Sequence, residues 1–305
     1  MIDHENRTPR YVYQLTLSLY CGAGYPFTKS FLIPVAIVRE SMSKYLKKCA
    51  SILLAAIALF SFGLLSACGS SSASANATVV LVHGAWADGS SWSAVVALLQ
   101  KRGLHVVAVQ LPRTSLADDA AVVADAINSQ NGPVILVGHS YGGAVITQAG
   151  NDAKVAALVY VSAFAPSSGQ SINDLISPFP KPAWQTNGLI LSTNGFLTLS
   201  TDTFLNSFAP DIPKDVAAVL AVSQGPLFAH CLDDKVTTAA WKVKPSWWIY
   251  GDQDQIIPPQ LQQAEAQAIN ATVTAIPGAS HVALISQPNA VADVILEAAS
   301  KTGNL

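Results

Sequence analysis

The sequence predicts a doubly wound α/β fold: a mostly parallel sheet of about six strands, helices on both faces, and a helical cap inserted late in the chain. Three observations lead there. Six short apolar runs recur from residue 77 onward, separated by longer stretches with helical periodicity. These runs are apolar on both faces, as parallel strands covered by helices require. Between the fourth and fifth runs, about 80 residues rich in Pro, Gly and aromatic side chains break the rhythm, too many for a plain loop in a compact domain.

Ala77–Val82 is the first predicted strand, and a helix over Ser91–Arg102 follows, closed by Gly103 as its C′ residue. Leu104–Val109 is the second strand. Ser115–Ser129 is the second helix, with Ser115 as N-cap and Asp118 three positions on, an approximate capping box. Pro133–Val137 and Tyr141–Gly150 make the next pair, and Val155–Val161 the fourth strand. The cap is expected over residues 164–244. Ser246–Tyr250, Pro259–Ile269, Ala271–Ile276 and Asn289–Lys301 complete the alternation, which implies right-handed crossovers.

Composition excludes some classes. Of 305 residues, 50% are hydrophobic and 12% charged, which rules out disorder for most of the chain. The formal net charge is −2 and no Lys/Arg run exceeds a short pair, so nucleic acid is not an expected partner. No HExxH, phosphate-cradling P-loop or clustered Cys/His ligand set occurs, and neither metal nor organic cofactor is expected.

The first 67 residues stand apart. Lys44, Lys47 and Lys48 precede an uncharged run from Cys49 to Leu65, and a small-residue boundary follows. A basic n-region, a short h-region and small residues make a secretory signal. Leu65-Ser66-Ala67-Cys68 resembles the lipobox of bacterial lipoproteins, which implies cleavage before Cys68 and acylation of that residue. Signal peptides begin at their initiator, so translation is expected from Met42, with residues 1–41 an upstream extension. Residues 42–67 are then the signal peptide, 68–76 a tether and 77–305 the folded domain. Such a chain would be exported and held at a membrane by its lipid. From Cys68 onward it carries 10 Lys/Arg and 16 Asp/Glu, for a charge of −6, and beyond Cys68 it has one cysteine, Cys231, read as a small buried hydrophobe.

Gly138-His139-Ser140-Tyr141-Gly142 matches Gly-x-Ser-x-Gly and lies between a predicted strand and a predicted helix, the context of a nucleophile elbow. Ser140 is thus the candidate nucleophile. A serine hydroxyl needs a base. His281 follows the last strand, so parallel topology brings it to the sheet edge where Ser140 stands. His83, His105, His139 and His230 are its rivals: His83 is read as a structural hydrogen-bonding residue, and His139 is expected to point elsewhere. Asp252 and Asp254 both follow the fifth strand and could orient the imidazole; Asp254 is the choice, with Asp252 shaping the turn. Backbone N–H groups of Ala85, after the first strand, and Tyr141, after the nucleophile, are the expected oxyanion donors, worth about 3–4 kcal/mol each in comparable sites.

Val82-His83-Gly84-Ala85-Trp86, the elbow with Gly143, Gly251-x-x-Asp254-x-x-Ile257-Pro258 and Ser280-His281 together resemble the α/β-hydrolase superfamily. The nearest subgroup is the small-cap esterases related to plant methyl-ester esterases and hydroxynitrile lyases. The resemblance covers nearly all of residues 77–300 and is weakest across the cap. It implies hydrolysis of a small or medium apolar or aryl ester through an acyl-enzyme on Ser140, without cofactors. Hydroxynitrile lyases of this group carry Lys after the catalytic His; Val282 stands there, against cyanohydrin cleavage. Haloalkane dehalogenases use an Asp nucleophile, which Ser140 excludes. Perhydrolases share the triad, and non-catalytic hormone receptors of this fold often lose one of its members. The cap aromatics either line a substrate pocket or pack the cap.

Overall fold

The computed structural model describes residues 77–305 and two earlier strands, Gln14–Leu19 and Phe27–Leu32, which pair antiparallel with each other. The expected signal peptide, Cys68 and the tether lie outside the described residues.

Six parallel strands form the central sheet of the domain: β1 (Thr78–Val82), β2 (His105–Ala108), β3 (Val134–His139), β4 (Val155–Val161), β8 (Ser246–Gly251) and β9 (Thr272–Ile276). Their spatial order is β9-β8-β4-β3-β1-β2. The inner strands β1 and β3 are buried along their whole length, chiefly by apolar residues. Leu104–Val109 and Ala271–Ile276 are expected to be covered on both faces but form the two edges, where β2 and most of β9 are partly exposed.

Helices cover both faces. On one, α1 (Ser93–Lys101) packs against α8 (Pro288–Lys301), which lies along β4, β8 and β3. On the other lie α2 (Leu116–Asn128), α3 (Tyr141–Ala149) and α7 (Pro259–Ala268). There Tyr160 of β4 stacks on Trp248 of β8, with ring centroids 5.0 Å apart. Tyr160 also shares a hydrogen bond with Thr147 of α3, and the Trp248 indole N–H donates to Gln262 of α7. The N-cap at Ser115 forms as its sequence requires, its hydroxyl accepting from Asp118 N–H.

The chain winds outward from β1 to β2, then returns to place β3 on the other side of β1. Here the order reverses, and the loops after β1 and β3 leave side by side, because Val82 is paired with Gly138. Such a reversal opens a crevice at the carboxyl ends of the strands.

The cap over residues 164–244 is not purely helical. Short helices α4 (Ile172–Ile176) and α5 (Ala183–Asn187) lead into a three-stranded antiparallel sheet of β5 (Leu189–Leu191), β6 (Phe196–Leu199) and β7 (Leu227–Phe228), interrupted by α6 (Lys214–Ser223). The sheet departs from expectation. Its signal was Asn194-Gly195 between two apolar runs, with Gly195 at φ +82° turning the hairpin. The contacts that fasten the cap include Trp86 Nε1–H to Leu197 O (3.1 Å), Arg113 Nε–H to Pro226 O (3.1 Å), Trp184 Nε1–H to Ile256 O (2.9 Å), and Ser280 N–H to Asp211 (2.8 Å).

Candidate active site

Ser140 joins β3 to α3 at φ +53° and ψ −123°, a conformation that costs a side-chain-bearing residue on the order of 1–3 kcal/mol. The turn closes because Gly142, two positions on, and Gly84, in the loop after β1, lack side chains. A Cβ on Gly142 would come within 2.7 Å of the carbonyl oxygens of both Val82 and His83, and one on Gly84 within 2.7 Å of Ser140 Cβ. The loop after β1 therefore lies directly against the elbow. From the other side, the Phe164 N–H donates to the Ser140 carbonyl (3.3 Å).

His281 and Asp254 are both buried. The His281 Nδ1–H donates to Asp254 Oδ2 at 2.9 Å. That carboxylate is held by three more donors: Ile256 N–H (2.8 Å) and Ile257 N–H (3.0 Å) on Oδ1, and the Gln262 amide (2.8 Å) on Oδ2. With Nδ1 carrying the proton, Nε2 keeps its lone pair; it is buried and has no hydrogen-bond partner, Ser140 Oγ included. Hydrogen bonds of this kind often tighten only when substrate is bound.

Asp254, not Asp252, faces His281. Asp252 is exposed and accepts from Gly278 N–H (2.7 Å), bracing the loop that carries His281. The other imidazoles are occupied elsewhere. His83 donates from Nδ1 to Gly84 O (2.8 Å) and accepts from Leu111 N–H at Nε2 (3.0 Å); burial pushes it down to about 4, so it is neutral. His139 does not point away from the site. Its Nε2–H donates to the His281 carbonyl (3.0 Å) and its ring lies 4.8 Å from that of His281. Full burial holds His139 well below the usual histidine range. It props up the His281 loop as a neutral donor. His105 meets Thr78, and exposed His230 meets Asp234. Burial likewise pushes the Cys231 thiol up to about 12, so it is inert as a nucleophile.

Ser140, Ala85 and Tyr141 open onto one cavity of about 530 Å³. Its walls are chiefly apolar, with Trp86 and Ile257 from the loops at the sheet edge, Leu261 from α7, and Phe164, Ile172, Phe179, Trp184 and Leu197 from the cap. The cap aromatics divide. Phe179 and Trp184 line the cavity, whereas Phe196 and Phe228 pack on each other and Trp241 donates to Pro166 O. Among the described residues, no cluster of three or more His, Cys, Asp or Glu side chains is placed to hold a metal ion.

Three residues of this neighbourhood escaped sequence reasoning. Asp119 of α2 is buried, accepts from the Tyr141 hydroxyl (2.7 Å) and from Arg113 N–H (2.7 Å), and is raised above the ordinary carboxylate range by that burial. Gln262 binds Asp254. Glu265, one turn further on α7, accepts from Ala165 N–H (2.6 Å); burial pushes its carboxyl up to about 8. Polar residues on the inner face of an otherwise amphipathic helix were the available signal for Gln262 and Glu265.

The sequence model of the alpha/beta hydrolase family matches residues 79–294, and the chain belongs to that family. A protein of Phoma sp. named "Probable hydrolase R7" is 26% identical over 243 residues, covering 72% of this chain and 97% of its own. A carbendazim hydrolyzing esterase from Nocardioides sp. is 30% identical over 176 residues, covering 53% of this chain and 71% of its own. The crystal structure of polyneuridine aldehyde esterase shares the fold, with a TM-score of 0.65 at 21% identity over 73% of this chain and 98% of that one.

Proposed function

We propose that the protein is a serine carboxylic-ester hydrolase acting through an acyl-enzyme on an apolar or aryl ester. One observation carries this reading: a buried Asp254–His281 pair leaves imidazole Nε2 free of protein partners, at the carboxyl edge where Ser140 opens onto an apolar cavity.

Ser140 Oγ attacks the ester carbonyl as His281 Nε2 takes its proton. The carbonyl electron pair moves to oxygen, which the Ala85 and Tyr141 N–H groups stabilise; the Tyr141 donor lies at the start of α3, where the helix dipole adds to the effect. Collapse breaks the bond to the leaving alkoxide, which takes the proton from His281. Water then repeats the sequence on the acyl-enzyme, releasing the acid and returning the proton to Ser140. Asp254 keeps the imidazole in the tautomer this needs. The cavity walls suit an uncharged acyl or aryl group, and the esterase among the relatives supports this chemistry. The lipobox-like segment supports export and anchoring through Cys68, which the mass of the mature N-terminus would test.

Turnover of p-nitrophenyl esters by purified protein is the direct assay. Ser140→Ala is expected to lower kcat by about 10⁴-fold or more. Unchanged turnover in the variant refutes the esterase reading through Ser140, and absence of turnover by the unaltered protein favours a ligand-binding role.

A further inference from the structure

We infer that Gln262 is a positioning residue for the orienting carboxylate, governing through Asp254 how firmly the His281 imidazole is held; the inference rests on the esterase reading above. Gln262 is fully buried on α7. Its amide has one possible orientation. Oε1 accepts from the Trp248 indole N–H (3.3 Å), a group that can only donate, which turns Nε2 toward Asp254 Oδ2 (2.8 Å) and Ile257 O (2.9 Å). Trp248 is itself fixed by its stack on Tyr160. Asp254 Oδ2 is therefore shared by two donors, Gln262 Nε2–H and His281 Nδ1–H.

This sharing has two consequences. The Gln262 donor stops the carboxylate from rotating about its Cβ–Cγ bond, and so fixes the direction along which Nδ1 is pulled. It also withdraws negative charge from the oxygen that faces the imidazole, which limits how strongly Asp254 favours the imidazolium. A base that must give up its proton again in every turnover gains from both effects. The same hydrogen bonds link the carboxylate to the cavity wall, because Ile257, which bonds to both Asp254 and Gln262, lines it.

The titratable groups around the pair are few. Asp254 faces His281 directly, and His139 lies beside it as a neutral ring, tilted by 47°. Asp211 reaches the loop through Ser280, and Glu265 lies one turn along α7 from Gln262.

Two variants and one spectrum test the inference. In Gln262→Leu, kcat for a p-nitrophenyl ester should fall about tenfold or more with KM little changed, as expected for the loss of one charge-assisted hydrogen bond. The acid limb of kcat/KM should move to higher pH. Gln262→Glu keeps an acceptor for Trp248 and can donate to Asp254 only while protonated, so it should approach wild-type kcat at low pH and lose activity as pH rises. The low-field NMR signal of the His281 Nδ1 proton should shift in Gln262→Leu and stay in place in Ser140→Ala. A Gln262→Leu protein with wild-type kcat, pH profile and proton signal overturns the inference. So does one whose activity falls only in proportion to its folded fraction. If ester turnover survives Ser140→Ala, the esterase reading fails, and the proton signal alone decides whether Gln262 holds the pair.

Discussion

Replacing Glu265 by Gln should flatten the dependence of stability on pH. The carboxyl is buried between α7 and the loop after β4, accepts one hydrogen bond from Ala165 N–H, and has a second oxygen with no partner. Burial raises its folded value to about 8, against 4.5 when exposed. Between those values the folded protein keeps a proton that the unfolded chain has released, so stability falls as pH rises, by about 1.4 kcal/mol per pH unit. Over the interval of about 3.5 pH units the loss amounts to roughly 5 kcal/mol, a large fraction of the 5–15 kcal/mol typical of a domain. The amide of the Glu265→Gln variant would retain the acceptor for Ala165 without the charge. Urea unfolding of both proteins at several pH values gives the difference in stability, in which the other titrating groups cancel. The variant should gain steadily on the wild type from about pH 4.5 to 8, then hold a constant advantage. Parallel curves across that range would refute the account of Glu265 as a buried, protonated carboxyl.

Asp254→Asn should lower kcat by about 10⁴-fold, because an amide N–H facing Nδ1 selects the opposite imidazole tautomer; pre-steady-state kinetics showing intact acylation would contradict this. The same amide would oppose the Gln262 donor, so a fall in Tm should accompany the kinetic loss. Trp184→Ala removes a wall of the cavity and a hydrogen bond to Ile256 O. It should shift kcat/KM about tenfold toward bulkier acyl esters, and an unaltered chain-length ranking would show that Trp184 does not meet substrate. Intact-mass analysis of the protein from its native membrane should find an acylated N-terminal Cys68; any peptide from residues 1–41 would overturn the expected start at Met42.

Much of this molecule was written locally. The six strands are continuous apolar runs, and only their edge positions altered the expected burial. The elbow was legible because its strain falls on a few adjacent residues: Ser140 stands at positive φ between Gly138 and Gly142, and Gly142 is where a Cβ would strike the β1 loop. The rule that parallel strands share one carboxyl edge then gathers Ser140, Asp254 and His281 from three loops, without further detail.

What the sequence could not specify was the partner of each polar side chain. His139 packs on His281 across 142 positions, and Ala165 meets Glu265 across 100. Which cap aromatics line the cavity depended in the same way on the hairpin at Gly195 and on long-range hydrogen bonds such as that from Trp184. Periodicity and turn chemistry act through neighbouring torsions, so a linear reading recovers them. Pairings across the fold arise only when packing brings distant surfaces together and presses most buried donors and acceptors to find partners.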